Sequence, residues 1–225
     1  MKTAFVTGGN RGIGFELVKQ LLSKGYHVHT TYRTNDGGLA DVHHERLTVH
    51  QCDVRDESGL AALFDSIHGG LDLLINNAGV SDGRWSKIED IDFEHALEVM
   101  EINALAPMLV LKCALPALRR APSAKVVMMS SLMASIDDCK MGKSYVYRAS
   151  KTALNMLTVA SVNELRDSGI AALLIHPGWV ETDMGGPNAP VRPYESVKGI
   201  LERIEDLSLS TTGSFIAYDG QLLPW

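Results

Sequence analysis

Apolar residues in this chain follow two rhythms that alternate from one end to the other. Short, nearly continuous apolar runs read as strands buried on both faces. They cover residues 2–7, 26–32, 46–51, 71–75, 124–129, 170–175 and 214–218. Between them lie stretches whose apolar positions recur every three or four residues, the period of an amphipathic helix. One runs from the first glycine cluster to about Lys24 and stops at Gly25. A second follows Asp56 to about Ile67 and ends at Gly69-Gly70; a third spans Phe93 to Leu118. A fourth covers Tyr145 to Arg166, and a fifth residues 194–207. Residues 34–45 are polar, contain Gly37-Gly38 and read as a loop with little regular structure. Alternation of strand and helix implies an α/β fold with a parallel sheet of about seven strands and helices on both faces. At 225 residues the chain suits a single domain, residues 1–225.

The punctuation between these elements carries the chemistry. The first strand runs into Thr7-Gly-Gly-Asn-Arg-Gly-Ile-Gly14. Glycines let a backbone approach a pyrophosphate, and the following helix offers free N–H groups at its positive end. Gly8, Asn10, Arg11, Gly12, Ile13 and Gly14 are therefore candidate dinucleotide contacts; the bland reading is a structural turn. The second strand ends at Thr31, Tyr32 and Arg33, with no acidic residue to take the ribose 2′-hydroxyl of NAD. Arg33 and Arg11 would instead suit a 2′-phosphate, which favours NADP(H), unless both are only solvated. Asp53, followed by Val54, could accept from an adenine amino group, while Asp56 suits a helix cap. Asn76-Asn77-Ala78-Gly79 ends the fourth strand, where small and amide residues suit a ligand crevice or a tied turn. His176-Pro177-Gly178 turns sharply after the sixth strand; its backbone, Val180 and Thr182 are candidates for a nicotinamide amide and phosphate.

Tyr147 and Lys151 lie one helical turn apart on one face. A phenol with a pKa near 10 is a poor proton donor or acceptor at neutral pH. An ammonium about 4 Å away, at an effective dielectric of about 20, favours the phenolate by roughly 4 kcal/mol before screening and desolvation. The pair is expected to act as general acid and base, although a packed ring beside a solvated lysine is the commoner meaning of such spacing. Ser131, at the end of the fifth strand and sixteen residues before Tyr147, could donate to a substrate oxygen; Ser130 could merely bond locally. Pro107 lacks an N–H, so the Asn103 carbonyl is expected either to hold a water or only to mark a kink.

Composition narrows the function classes. A net charge of −6 without Lys/Arg runs argues against nucleic-acid binding. No apolar run is read as long enough to span a bilayer, and the N-terminus reaches glycines too soon for a signal peptide. Cys52, Cys113 and Cys139 form neither a disulfide framework nor a metal pattern, and a reducing cytoplasm is the expected compartment. His43-His44 lacks the neighbours a metal site needs. Trp85, Met133, Met141, Tyr145, Trp179 and Met184 could line an apolar pocket or belong to the core. The end, Leu222-Leu-Pro-Trp225, is either a core cover or a subunit contact.

With these motifs in this order, the chain resembles the short-chain dehydrogenase/reductase family over its whole length, in particular its small carbonyl-reductase-like and C-factor-like members. The resemblance implies a doubly wound Rossmann fold and a catalytic set of Asn103, Ser131, Tyr147 and Lys151. It implies cofactor contacts from Gly8, Gly12 and Gly14, from Asn77, Ala78 and Gly79, and from Pro177, Gly178 and Thr182. It further implies a small carbonyl or alcohol substrate and a homo-oligomer, dimer or tetramer, paired through long helices. A C-factor-like signalling role is the alternative. Two departures stand out: the Ser131–Tyr147 gap is a few residues longer than usual, and the segment after Thr182 is short, which suggests an open site.

Overall fold

The structure, a computed structural model, describes residues 1–83, 85 and 87–225. Its elements are β1 (Thr3–Val6), α1 (Gly12–Ser23), β2 (His27–Tyr32), β3 (Leu47–Gln51), α2 (Glu57–Asp65) and β4 (Leu73–Asn76). They continue with α3 (Phe93–Met100), α4 (Ala106–Arg119), β5 (Lys125–Met129), α5 (Tyr145–Asp167), β6 (Ala171–His176), α6 (Pro193–Asp206) and β7 (Ser214–Ala217). The strands pair in parallel in the order β3-β2-β1-β4-β5-β6-β7. The chain therefore winds outward from β1 to one edge, then crosses back to β4 and winds to the other. The carboxyl ends of β1 and β4 diverge at that reversal and leave a crevice.

Alternate residues of each strand serve opposite faces, and both faces are apolar. Phe5, Leu74, Val126, Met128, Ala172 and Leu174 pack under α2, α4 and α5. Ala4, Val6, Leu73, Ile75, Val127 and Leu173 pack under α1 and α6. Asp56 caps α2 by accepting from the Gly59 N–H, and Asp92 caps α3 through the Glu94 and His95 N–H groups.

Three sequence expectations change. Residues 34–45 include a 3₁₀ stretch, Gly37–Asp41, anchored by buried Leu39 and by the Gly38 N–H donating to the Asn10 carbonyl. The long helix from Phe93 is broken by a π turn, Glu101–Leu105, which seats Pro107 in the first turn of α4 and buries Asn103 completely. The combined run Phe93–Arg119 is, by length and composition alone, long and apolar enough to cross a membrane. Half of its most apolar window is buried, and Val110, Leu111, Ala114 and Leu118 fill the core, as in an interior helix of a globular domain. At the far end Leu223 joins the core, and the Trp225 ring packs against Phe215. The Trp225 carbonyl accepts from the Asp137 N–H and the Ser135 hydroxyl, so this segment braces the loop between β5 and α5.

Candidate active site

A cleft of about 740 Å³ opens at the carboxyl ends of the central strands. Its floor is the turn after β1. Thr7 Oγ1 accepts from the Asn77 and Ala78 N–H groups at 2.9 and 3.0 Å, and Asn77 Nδ2 donates to the Thr7 and Gly8 carbonyls. The Gly8 N–H donates to Thr31 Oγ1. The asparagine motif thus ties the glycine turn together as well as lining the crevice. A Cβ on Gly14 would lie 2.1 Å from the Gly8 carbonyl oxygen, and Gly8 and Gly12 hold φ of 67° and 53°. No other residue type fits this path without backbone movement. α1 starts with no side-chain cap and no acidic residue in its first turn, so its amino end is left for an outside anion. A Cβ on Gly12 would come within 3.2 Å of the Thr182 methyl, which closes the channel from the opposite wall. These features fit a dinucleotide pyrophosphate.

The outer end of the cleft is lined by Tyr32, Arg33, Asp53 and Val54, with Asn10, Arg11 and Ile13 beside them. Arg33 sits 3.8 Å from Glu98, and Arg11 3.1 Å from Asp183, in exposed pairs worth little. Both guanidiniums are free to change partner at small cost. Asp53 grips Arg55 through both carboxylate oxygens, and those hydrogen bonds hold its pKa below the usual carboxylate range. Arg55 is also within reach of Glu98 and Glu101, so its charge is taken up by neighbouring carboxylates.

The inner end holds the chemistry. Tyr147 and Lys151 both face the cleft from the first turns of α5. Lys151 is buried, and its Nζ donates to the Met129 carbonyl at 2.8 Å. Burial lowers its pKa to about 8. The expectation that Lys151 acidifies Tyr147 needs correction for the protein's own side chains. Burial raises the phenol above its ordinary value; a hydrogen bond with Ser131 lowers it, and the charge of Asp82 raises it further. The Lys151 ammonium is instead held by the Met129 carbonyl.

Asn103 lies one layer behind. Its amide exchanges hydrogen bonds with both backbone groups of Val80 at 2.9 Å and donates to Ser150 Oγ, which itself donates to the Tyr147 carbonyl. Ser131 touches Tyr147 but leaves the cleft wall to Ser130, whose hydroxyl is spent on Asn155 Oδ1 at 2.6 Å. Pro177 and Thr182 line the cleft. Gly178, at φ 87°, and buried Val180 shape the turn from behind. Of the apolar candidates, Met184 lines the cleft, whereas Met141 is 85% exposed. Sequence reading missed Thr7, Thr31, Asp82 and Asp183. Thr7 was the most findable, since it directly precedes Gly8.

A model of the short chain dehydrogenase family matches residues 2–192. The chain belongs to that family. It is accordingly a nicotinamide-dinucleotide-dependent oxidoreductase with a Rossmann fold. It is 42% identical over 157 residues to the C-signal protein of Myxococcus xanthus, covering 70% of this chain and 94% of that one. The carbonyl reductase Sniffer of D. melanogaster superposes with a TM-score of 0.94 at 32% identity, over 100% of both chains. An NADPH-bound carbonyl reductase from chicken fatty liver superposes with a TM-score of 0.92 at 34% identity, covering 100% of this chain and 99% of the other.

Proposed function

We propose that this protein interconverts a ketone or aldehyde with the corresponding alcohol, using NADP(H) in preference to NAD(H). One observation carries the reading: Tyr147, half-buried and next to Ser131, stands with Lys151 a turn away at the inner end of a cleft whose floor fits a pyrophosphate. Residues 8–14 would hold the pyrophosphate, and Asn77, Ala78 and Gly79 the adjoining ribose region. Asp53 and Val54 would hold the adenine. Pro177, Gly178, Val180 and Thr182 would hold the nicotinamide end. Arg11 and Arg33 already sit in weak surface pairs and would exchange them for a 2′-phosphate. The NADPH-bound neighbour supports the same cofactor.

When bound, the reduced dinucleotide supplies hydride. Tyr147 donates its proton to the carbonyl oxygen as negative charge gathers there, and the Ser131 hydroxyl steadies that oxygen. Lys151 would hold the ribose and, released from the Met129 carbonyl, would bring a positive charge toward the phenol. A water on the Asn103 carbonyl would connect Lys151 to solvent; a dinucleotide-bound structure with none there removes that link. General acid help of this kind contributes about 10²–10⁴-fold.

The expected setting is the cytoplasm, consistent with three free thiols. Phe93, Leu97, Leu105 and Met156, all more than half exposed, would pair the chain with a second copy along α3–α5. A second reading, a dinucleotide-bound signalling protein with incidental catalysis, draws on the 42% identity to C-signal. NADPH oxidation measured against a panel of ketones and aldehydes separates them. Turnover of at least one carbonyl class supports the enzyme, whereas tight NADPH binding with no turnover supports the signal.

A further inference from the structure

Three consecutive residues at the end of β5 meet three successive turns of α5. Ser131 stands next to Tyr147. The Met129 carbonyl accepts from Lys151 Nζ at 2.8 Å. Between them, the Ser130 hydroxyl donates to Asn155 Oδ1 at 2.6 Å. Tyr147, Lys151 and Asn155 are spaced four apart and so project from one face of the helix. Asparagine suits a helix interior poorly, because its amide competes for backbone hydrogen bonds. Asn155 nevertheless sits near the middle of α5, is buried, and gives its side-chain oxygen to the strand.

The reaction makes different demands on the three contacts. Under the proposed function Lys151 would leave the Met129 carbonyl for the ribose, and Ser131 and Tyr147 would turn to the substrate oxygen. Of the three, only the Ser130–Asn155 bond engages no reactant, so it can persist while the other two rearrange.

We propose that Asn155 is a positioning residue for the reaction: by accepting from the Ser130 hydroxyl it fixes the spacing between the end of β5, which carries Ser131, and α5, which carries Tyr147 and Lys151. This rests on Tyr147 being the acid–base group.

The neighbouring restraints leave that spacing to this bond. The Ser130 N–H donates to the Ile175 carbonyl at 2.8 Å, which extends the β5–β6 ladder and holds the strand end within the sheet. α5 is anchored at its start, where the Tyr147 N–H donates to Asp82 Oδ2 at 3.0 Å, and at Ser150, whose hydroxyl accepts from Asn103 Nδ2 at 3.1 Å. Those anchors reach the loop after β4 and the π turn, not β5. Thr152 Oγ1 donates to the Ala134 carbonyl at 2.8 Å and holds the loop beyond Ser131. Ser130–Asn155 makes the matching tie on the strand side of Ser131. Misplacing reacting groups by about 1 Å can cost about 10²-fold in rate.

The test compares the wild type, Ser130→Ala, Asn155→Leu and the double variant, with Tyr147→Phe as control. Three quantities are read: the single-turnover rate of carbonyl reduction at saturating NADPH, the NADPH affinity from tryptophan fluorescence, and the melting temperature. Rates are taken at a temperature where every variant is folded. Each single substitution strands one buried polar group and should lower the melting temperature, whereas the double substitution removes both partners and should recover much of that loss. The tie is absent in all three, so all three should be slower by about 10–10²-fold, with NADPH affinity retained. A merely structural pair would let the rate recover with the melting temperature in the double variant. That recovery, or a wild-type rate in all three, overturns the proposal, as does a loss confined to NADPH affinity. If a single variant does not fold, the double variant carries the test; a double variant that does not fold makes the pair a folding element only and also overturns it. Full turnover in Tyr147→Phe sinks the assignment of Tyr147 instead. An inactive Tyr147→Phe beside an unimpaired double variant confines the failure to this inference.

Discussion

At the scale of single residues, glycines and small polar groups decide more than the charged ones. Gly14 has no room for a methyl, since its Cβ would meet the Gly8 carbonyl at 2.1 Å. Gly14→Ala should force the turn apart and weaken NADPH binding by at least about tenfold, measured by quenching of tryptophan fluorescence on titration. Arg33 is half exposed and only loosely paired, so its removal should cost little stability. Arg33→Asp should lower kcat/KM for NADPH while raising it for NADH, because a carboxylate suits a 2′-hydroxyl and repels a 2′-phosphate. A cofactor ratio unchanged by this substitution would place the 2′-phosphate elsewhere. The positions of Gly8, Gly12, Gly14, Tyr147 and Lys151 were legible in the sequence because each rests on local spacing. Asp82 was not, because its partner lies 65 positions away and no spacing rule joins them. The direction of the Tyr147 shift was misread for a similar reason. Spacing on a helix shows that two side chains share a face, but not that one of them is turned to a strand carbonyl.

At the scale of elements, the strand and helix periods located every strand and each helix to within a few residues. What they missed was the π turn at Glu101–Leu105 and the 3₁₀ stretch at Gly37–Asp41. Both depend on tertiary contacts: a buried amide bonded to another loop, and one buried leucine in an otherwise polar segment. The β2–β3 edge carries a further consequence. His27, His29 and His50 stack along one face, and His29 Nδ1 lies 3.1 Å from His50 Nε2. Burial, then the neighbouring His27 and His50, lower His29 to about 4; burial lowers His176 to about 4 as well. For each, the unfolded chain takes up a proton near pH 6.5 that the folded chain refuses until about 4. Stability is thus present above the unfolded value and lost as pH falls from about 6.5 toward 4. The melting temperature should drop across that window. His29→Gln should flatten part of the drop and leave the portions due to His176 and to His50, which burial also lowers. An identical pH dependence in wild type and variant would mean that His29 titrates freely.

At the scale of the whole molecule, the strand reversal between β1 and β4 gathers the glycine turn, the asparagine motif and the start of α5 around one cleft. That convergence followed from motif order in the sequence, whereas the exposed apolar faces of α3–α5 had to be seen in three dimensions. Phe93 and Leu97, 75% and 71% exposed, are the residues through which the proposed pairing with a second copy would run. Leu97→Glu should convert an oligomer to monomer in sedimentation analysis, with folding retained. The central claim, that Tyr147 delivers the proton, is tested most directly by single-turnover NADPH oxidation with a reactive carbonyl substrate in the wild type and in Tyr147→Phe, each saturated with NADPH. The account predicts a rate lower by about 10²–10⁴-fold with NADPH affinity unchanged. A rate in Tyr147→Phe equal to that of the wild type would contradict it.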